Sequence, residues 1–275
     1  MLAEAGATPS KHRGQNFLVQ TAIANRIVAL LRPEANDRVV EIGPGLGILT
    51  ERLLTYPIAG PTLIELDHRL AAQLRERFAG VEVIEGDFLK LDPGRLFGDG
   101  PVKVIGNLPF NVATAMLHRL GEFRTCIATM VLMFQREVAA RLRATPGSPD
   151  YGALTVLTAM DWELHDHFRV QAGSFYPPPK VDAEVLRFLP AAQAQLGVAA
   201  QTVRAVVRAS FSSRRKSLRN SLAGGLGIAP AAAAAALTEA GIEPSQRAEK
   251  LTLQDFIALA RAVAAIETRR VGRDA

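Results

Sequence analysis

The chain has 275 residues, enough for one large domain or for a domain with a smaller companion. Hydrophobic residues make up 48% of it, so a sizeable core is within reach, and a net charge of +5 with a pI near 9.7 favours a polyanionic partner. A single cysteine, Cys126, rules out an intrachain disulfide and fits a reducing, cytoplasmic setting.

The opening MLAEAGATPS lacks the basic start and apolar run of a signal peptide, and no later stretch reaches the length of a membrane span. Membrane attachment is therefore not expected. Ile23, Ile27, Leu30 and Leu31 recur at helical spacing, which predicts a leading helix. Strand-like and helix-like segments then alternate. RVVEI (38–42), TLIEL (62–66), VEVIE (81–85), VKVIG (102–106) and CIATMVLMF (126–134) read as five strands. LGILTERLL, HRLAAQLRERF and VATAMLHRL read as helices between them. That alternation implies βαβ units, and so an α/β, Rossmann-like fold with a mostly parallel sheet. Cys126 begins an apolar strand and reads as a core residue. HDH (165–167) belongs to a polar edge strand. After Phe175, FYPPPKVDAEVLRFL reads as a rigid loop feeding a late strand. From about residue 190 the strand signals vanish. AVVRASF, NSLAGGL, the alanine tract after Pro230 and DFIALARAVAAI read as short helices. The expected organisation is thus an α/β domain over 1–189 and a small all-helical domain over 190–275.

The glycines of EIGPGLG (41–47) end the first strand and open the first inter-strand helix, where backbone can approach a ligand closely. A tight strand–helix turn would use the same residues, and the spacing of Gly43, Gly45 and Gly47 is not the G-x-G-x-x-G of dinucleotide sites. Glu65, at the end of the second strand, can accept from both hydroxyls of a ribose. Asp67 suits an N-cap for the helix that follows. Asp87, just past the third strand, can accept from an adenine amine. Gly43, Glu65 and Asp87 thus fall at the ends of three successive strands, a pattern for adenosine that nicotinamide cofactors and S-adenosylmethionine share. Acidic Glu41, the compact loop and the fourth strand favour S-adenosylmethionine.

At the end of the fourth strand stand Asn107, Leu108, Pro109 and Phe110. An exocyclic amine on an aromatic base is a poor nucleophile, because its lone pair is delocalised. The side-chain oxygen of Asn107 and the carbonyl of Leu108 could hold its two hydrogens and aim the lone pair at a methyl sulfonium. Pro109 stiffens the turn. Phe110 offers a stacking face worth about 1–3 kcal/mol per base. No strong general base is needed, so catalysis rests on positioning and electrostatics. Nucleophilic and metal chemistry fit poorly. There is no G-x-S-x-G, there are no paired cysteines, and His165 and His167 have no further clustered ligands, so no metal is expected.

With these motifs in place the chain resembles the ribosomal RNA adenine N6-dimethyltransferases, and within them the bacterial small-subunit (16S) group. KHRGQNFL (11–18), EIGPGLGILT, IELD, EGDFL, GNLPF, FQREVAARL, FYPPPKVD, FSSRRKSLRNSL and RAEKLTLQDF carry the resemblance along nearly the whole chain. It implies a class I S-adenosylmethionine-dependent methyltransferase sheet. It assigns cofactor contacts to Asn16, Leu18, Gly43, Glu65, Asp87 and Asn107, with Gly45 in the same loop, and the base contact to Asn107 and the aromatic. It implies transfer of two methyl groups to N6 of each of two adjacent adenosines in the 3′-terminal hairpin of 16S rRNA, within the immature 30S subunit. The enzyme is expected to be a cytoplasmic monomer. The family's usual tyrosine is here Phe110, as in the macrolide-resistance enzymes that modify large-subunit rRNA. The PPPK and SRRKSLRN segments favour the small-subunit group.

RNA loops are read through bases stacked on aromatics and phosphates held by basic side chains. Arg214, Arg215, Lys216 and Arg219 cluster within six residues, Lys11 and Arg13 precede QNFL, and Lys180 follows the prolines; these are the candidate RNA contacts. A solvated charged face is the plainer reading of each one singly. Three functional readings compete: the dimethyltransferase, a non-catalytic RNA-binding assembly factor on the same fold, and a nicotinamide oxidoreductase.

Overall fold

The β-branched runs become strands and the amphipathic runs become helices in the computed structural model, which describes residues 15–98, 100–192, 196–213 and 216–271. The described residues begin with β1 (Phe17–Leu18) and α1 (Thr21–Leu31). It continues through β2 (Val39–Ile42), α2 (Ile48–Leu53), β3 (Pro61–Glu65), α3 (His68–Arg77), β4 (Glu82–Glu85), α4 (Pro93–Phe97), β5 (Val102–Gly106), α5 (Ala113–Gly121) and β6 (Ile127–Gln135). Then come α6 (Arg136–Leu142), α7 (Ala153–Ala159), β7 (Trp162–Val170), β8 (Phe175–Tyr176) and β9 (Ala183–Pro190). Four helices follow: α8 (Ala200–Ser210), α9 (Leu218–Leu226), α10 (Pro230–Glu239) and α11 (Leu253–Val271).

Seven strands form one sheet in the order β4-β3-β2-β5-β6-β9-β7. The first five are parallel, and β9 and β7 add antiparallel strands at one side. The inner parallel strands β2, β3, β5 and β6 are largely buried on both faces, which is why they read as apolar runs, whereas β4 at the edge exposes Glu82 and Glu85. The polar HDH stretch lies on β7, an edge strand, as its composition predicts: exposed Glu163, His165 and His167 alternate with the less exposed Leu164, Asp166 and Phe168, and His167 Nδ1 lies 2.8 Å from Glu184 Oε1.

In α1 the buried residues Ala24, Ile27, Val28 and Leu31 fall at three- and four-residue steps. They join Leu49 and Leu53 of α2, and Ile105, Val131 and Val185 of the sheet, in one apolar cluster. Burying each of the larger side chains among them contributes about 1.5–3 kcal/mol. The helix stops where Arg32 adopts a left-handed conformation (φ 53°) immediately before Pro33. Lys103, the one charge in the apolar VKVIG run, accounts for itself here. Its Nζ donates to the carbonyl of Arg32 at 2.6 Å and pairs with Asp37 at 2.7 Å, with only 13% of the side chain exposed.

The chain divides into two compact units, one comprising residues up to 139 together with 162–190, the other comprising 140–161 and 191–275. This differs from a single boundary at residue 190. Tyr151, Val156 and Leu157 lie in the same apolar core as Val203, Val207, Leu222, Leu237 and Phe256, so α7 belongs with the later helices. The chain then returns to the sheet for β7 and β9. Within the helical unit the Tyr151 hydroxyl donates to the carbonyl of Leu251 at 2.7 Å, and Arg204 holds the buried carboxylate of Asp161 through both oxygens, at 3.0 and 2.7 Å. The last helix is longer than its sequence pattern indicated, with 19 residues. Among the described residues no single helix is long and apolar enough to cross a membrane. The apolar residues of α9 and α10, such as Leu222 and Leu237, are buried in the helical core.

Candidate active site

Strand register sets the site. Ile42 on β2 is level with Ile64 on β3 and with Gly106 on β5. The next residues along the three strands, Gly43, Glu65 and Asn107, therefore emerge side by side at the carboxyl ends of the strands. The chain runs from β2 outward to β3 and β4, then returns to the other side of β2 for β5, so this is a topological switch point, where open α/β sheets bind ligands. A cleft opens there, lined by Asn16, Phe17, Gly43, Glu65, Asn107 and Phe110 among others.

The glycine loop is folded for close approach. Gly43, Gly45 and Gly47 all have positive φ, at 69°, 57° and 76°. A Cβ on Gly45 would stand 3.0 Å from the ring of Phe17, and one on Gly47 would stand 2.5 Å from the ring of Phe78. Gly43 N donates to the carbonyl of Ile64 at 2.9 Å, and Gly45 N donates to Glu65 Oε2 at 3.1 Å. Glu65 also accepts from Asp67 N through Oε1, at 2.9 Å. These donors, with the Leu66 amide also acting on the carboxyl, still leave lone pairs for ribose hydroxyls. Burial pushes the Glu65 carboxyl above its ordinary range, partly offset by the Asp67 and Gly45 amides. Asp67 takes the N-cap position of α3, accepting from Arg69 N at 2.9 Å and from Leu70 N at 3.5 Å.

Asn107 is fixed by the N-terminal segment. Its Nδ2 donates to the backbone carbonyl of Asn16 at 3.2 Å. A carbonyl only accepts, so the amide nitrogen must face Asn16, and Oδ1 remains the acceptor of the group. The side chain of Leu108 is 1% exposed and anchors the turn, while the carbonyl of Pro109 accepts from Val112 N at 3.0 Å at the start of α5. The preceding glycine is obligatory, since a Cβ on Gly106 would meet the carbonyl oxygen of Ile42 at 2.7 Å. Phe110 is half-buried and packs against the cluster containing Leu18 and Phe175.

Leu18 and Phe17 reach the cleft because β1 pairs antiparallel with β8, Phe17 opposite Tyr176 and Leu18 opposite Phe175. A hydrogen bond from Val19 N to the carbonyl of Ser174 (2.9 Å) extends the pairing. Two-residue strands carry no periodicity, and nothing in the sequence signalled this pair. Asp87 lies two residues beyond β4 and outside the cleft lining. Its Oδ1 accepts from Leu89 N at 3.0 Å, and its Oδ2 lies 3.9 Å from Lys90 Nζ. Lys180, Lys216 and Arg219 are exposed. Lys11, Arg13, Arg214 and Arg215 lie outside the described residues.

The contribution that sequence reasoning understated is Glu41. It is 1% exposed, and its Oε2 accepts from Thr50 Oγ1 at 2.7 Å. Its Oε1, equally buried, has no hydrogen-bond partner. Burial, reinforced by the nearby Glu65 and moderated by the Thr50 hydroxyl, pushes its carboxyl up to about 8. Its position two residues before Gly43 was the available signal; its depth was not visible. Among the described residues no side chain lining the cleft is cationic.

Known proteins agree with this geometry. The family model described as Ribosomal RNA adenine dimethylase matches residues 8–265. The chain belongs to the ribosomal RNA adenine dimethylase family. Among curated members, Ribosomal RNA small subunit methyltransferase A of Syntrophotalea carbinolica is 44% identical over 258 residues, covering 93% of this chain and 97% of its own. The protein of the same name from Geobacter sulfurreducens is 43% identical, covering 94% of this chain and 97% of its own. Among solved structures, a dimethyladenosine transferase from Plasmodium falciparum superposes with a TM-score of 0.78 at 23% identity, covering 91% of this chain and 98% of its own. The 23S rRNA methyltransferase ErmE gives 0.65 at 26%, covering 90% and 100%. The sheet is therefore that of the class I methyltransferases, as in this dimethylase family generally.

The cleft suits the cofactor such a fold implies. S-adenosylmethionine is cationic at its methionine end, and the cleft offers two buried carboxyls, one with an unpartnered oxygen, together with a loop whose glycines admit close contact. A nicotinamide dinucleotide would bring an anionic pyrophosphate against the same carboxyls, with no cation lining the cleft among the described residues. Among the described residues no group of three or more His, Cys, Asp or Glu is placed to hold a metal ion.

Proposed function

We propose that the chain transfers methyl groups from S-adenosylmethionine to N6 of two adjacent adenosines in the 3′-terminal hairpin loop of 16S rRNA, within the immature 30S subunit, giving N6,N6-dimethyladenosine. The observation that carries the reading is the juxtaposition of Gly43, Glu65 and Asn107 at one level of the sheet, with Phe110 on the rim. The likeness over nearly the whole chain to proteins named small subunit methyltransferase A supports the choice of subunit.

When bound, S-adenosylmethionine supplies an electrophilic methyl group on a sulfonium. Glu65 would hold the ribose, Asp87 would accept from the adenine amine, and the segment carrying Asn16 and Leu18, together with the Gly43–Gly45 loop, would line the cofactor cleft. Asn107 Oδ1 and the carbonyl of Leu108 accept the two hydrogens of the target amine and turn its lone pair toward the methyl. Leu108 and Pro109 keep both acceptors in place, which contributes through orientation, with no proton abstracted beforehand. The face of Phe110 stacks on the target base. The methylated nitrogen would be acidic and would give up its proton to water. Lys180, Lys216 and Arg219, together with Lys11, Arg13, Arg214 and Arg215, hold RNA phosphates, and the helical unit serves as a ribosome-binding platform. The protein works as a cytoplasmic monomer without a metal.

The test is incorporation of labelled methyl from S-adenosylmethionine into 30S subunits that lack the modification, compared with naked 16S rRNA. Four methyls per subunit at the two adjacent adenosines are expected. Binding to subunits without incorporation would instead favour a non-catalytic assembly factor.

A further inference from the structure

Asn107 keeps its oxygen for the reacting amine because its nitrogen is engaged elsewhere. The group that engages it is the carbonyl of Asn16, 3.2 Å from Nδ2 and 91 residues away in the chain. A half-turn about the last torsion of the side chain would exchange nitrogen and oxygen and present donors where the chemistry needs an acceptor. The orientation of Asn107 therefore depends on whatever holds residue 16 in place.

Asn16 lies outside α1, which begins at Thr21, and directly precedes the two residues of β1. That short strand is seated by its pairing with β8, and Ser174 locks the pair at its end. The Ser174 carbonyl accepts from Val19 N at 2.9 Å, and its Oγ donates to Gln20 Oε1 at 3.2 Å. Ser174 is only 3% exposed and is itself fixed. Its N donates to the carbonyl of Gln171 at 2.9 Å, and the same turn is braced where Asp182 accepts from Ala172 N and Arg169 Nε, each at 2.8 Å. On the other side Gln20 takes the N-cap position of α1, its carbonyl accepting from Ile23 N and Ala24 N at 3.1 Å. The lock thus ties β1 to a helix that is packed on the sheet. All of these residues belong to the sheet-containing unit.

We propose that Ser174 is a positioning residue for methyl transfer: with Gln20 it seats the β1 segment so that the Asn16 carbonyl holds the Asn107 amide with its oxygen toward the substrate. The inference rests on the methyltransferase reading and adds to it two residues that do not line the cleft. Their effect passes through Asn16 to Asn107. It falls on the rate of the chemical step, because a misplaced acceptor loses the orientation on which that step depends.

Two readouts on the full-length protein test it. The first needs no turnover. In protein carrying the heavy nitrogen isotope at asparagine, the side-chain amide signal of Asn107 is identified by its loss in Asn107→Ala. Its exchange with water should quicken about two- to tenfold in Ser174→Ala, the range for one lost neutral hydrogen bond. The second is the single-turnover rate of methyl transfer to 30S subunits at saturating S-adenosylmethionine, which should fall by a similar factor. Gln20→Ala, at an exposed position that leaves the core untouched, should reproduce both effects. Gln20→Glu keeps an oxygen for the Ser174 hydroxyl and should restore both. In the Asn107→Ala background, Ser174→Ala should lower the rate no further, since its target is already gone. An equal loss in both backgrounds overturns the role of Ser174 and leaves the methyltransferase reading intact. So does an Asn107 amide that exchanges at the wild-type rate in Ser174→Ala and Gln20→Ala. Absence of transfer by the wild-type protein overturns both.

Discussion

Replacing Glu41 by glutamine in the ligand-free protein isolates the cost of placing an acid at the bottom of the cleft. The substituted amide keeps an oxygen for the Thr50 hydroxyl and removes the titration. The carboxyl moves from 4.5 to about 8 on folding, chiefly through desolvation, against which the single Thr50 hydrogen bond is a smaller effect. At about 1.36 kcal/mol per pH unit, that displacement amounts to roughly 5 kcal/mol as a ceiling. The sign follows from linkage. A carboxyl whose folded value is raised stabilises the fold fully below its unfolded value and loses that contribution as pH rises through the folded value. Wild-type stability relative to Glu41→Gln should thus be constant below pH 4.5, decline by several kcal/mol between pH 5 and 8, and flatten above. Urea unfolding read by the fluorescence of Trp162 measures it, since this sole tryptophan is buried in the sheet-containing unit. A wild-type–variant difference that stays flat from pH 5 to 9 would refute the burial argument.

Three further outcomes are expected. Asn107→Ala should lower methyl transfer by at least about a hundredfold, since it removes an acceptor aimed at the reacting nitrogen. It should cost only about 1 kcal/mol of stability for the lost bond to Asn16, so wild-type turnover would remove Asn107 from the mechanism. Phe110→Ala should weaken substrate binding by about 1–3 kcal/mol through lost stacking, whereas Phe110→Tyr should retain it; equal KM values for all three proteins would dismiss the ring. Reversing Arg214 and Arg215 to Glu should weaken rRNA binding and flatten its dependence on salt, read from filter binding at several ionic strengths. Unchanged affinity and slope would exclude the helical unit as the RNA platform.

Much of the site could be read from the chain because its residues follow strands directly. Val39–Ile42 and Val102–Gly106 announce themselves by β-branching, and the residues just past them had to share an edge once the sheet was parallel. Asp67 was legible as a cap because its partners are its own neighbours in sequence. The pairing of Phe17–Leu18 with Phe175–Tyr176 was not, since two residues carry no period and the partner is far along the chain. The grouping of α7 with the later helices was hidden for a related reason. Which core Val156 and Leu157 enter depends on where the chain goes afterwards. The state of Glu41 depends on depth, which composition does not encode.

The pairing of β1 with β8 also orders events during synthesis. Phe17 waits for Tyr176, a separation of 176 − 17 = 159 residues, so one wall of the cleft is a late, non-local closure. A nascent chain that has extruded the glycine loop and Asn107 still has no strand to seat its N-terminal segment. Cofactor capture during translation should begin only once Phe175 and Tyr176 have left the ribosome, and binding to stalled chains ending on either side of that point would time it.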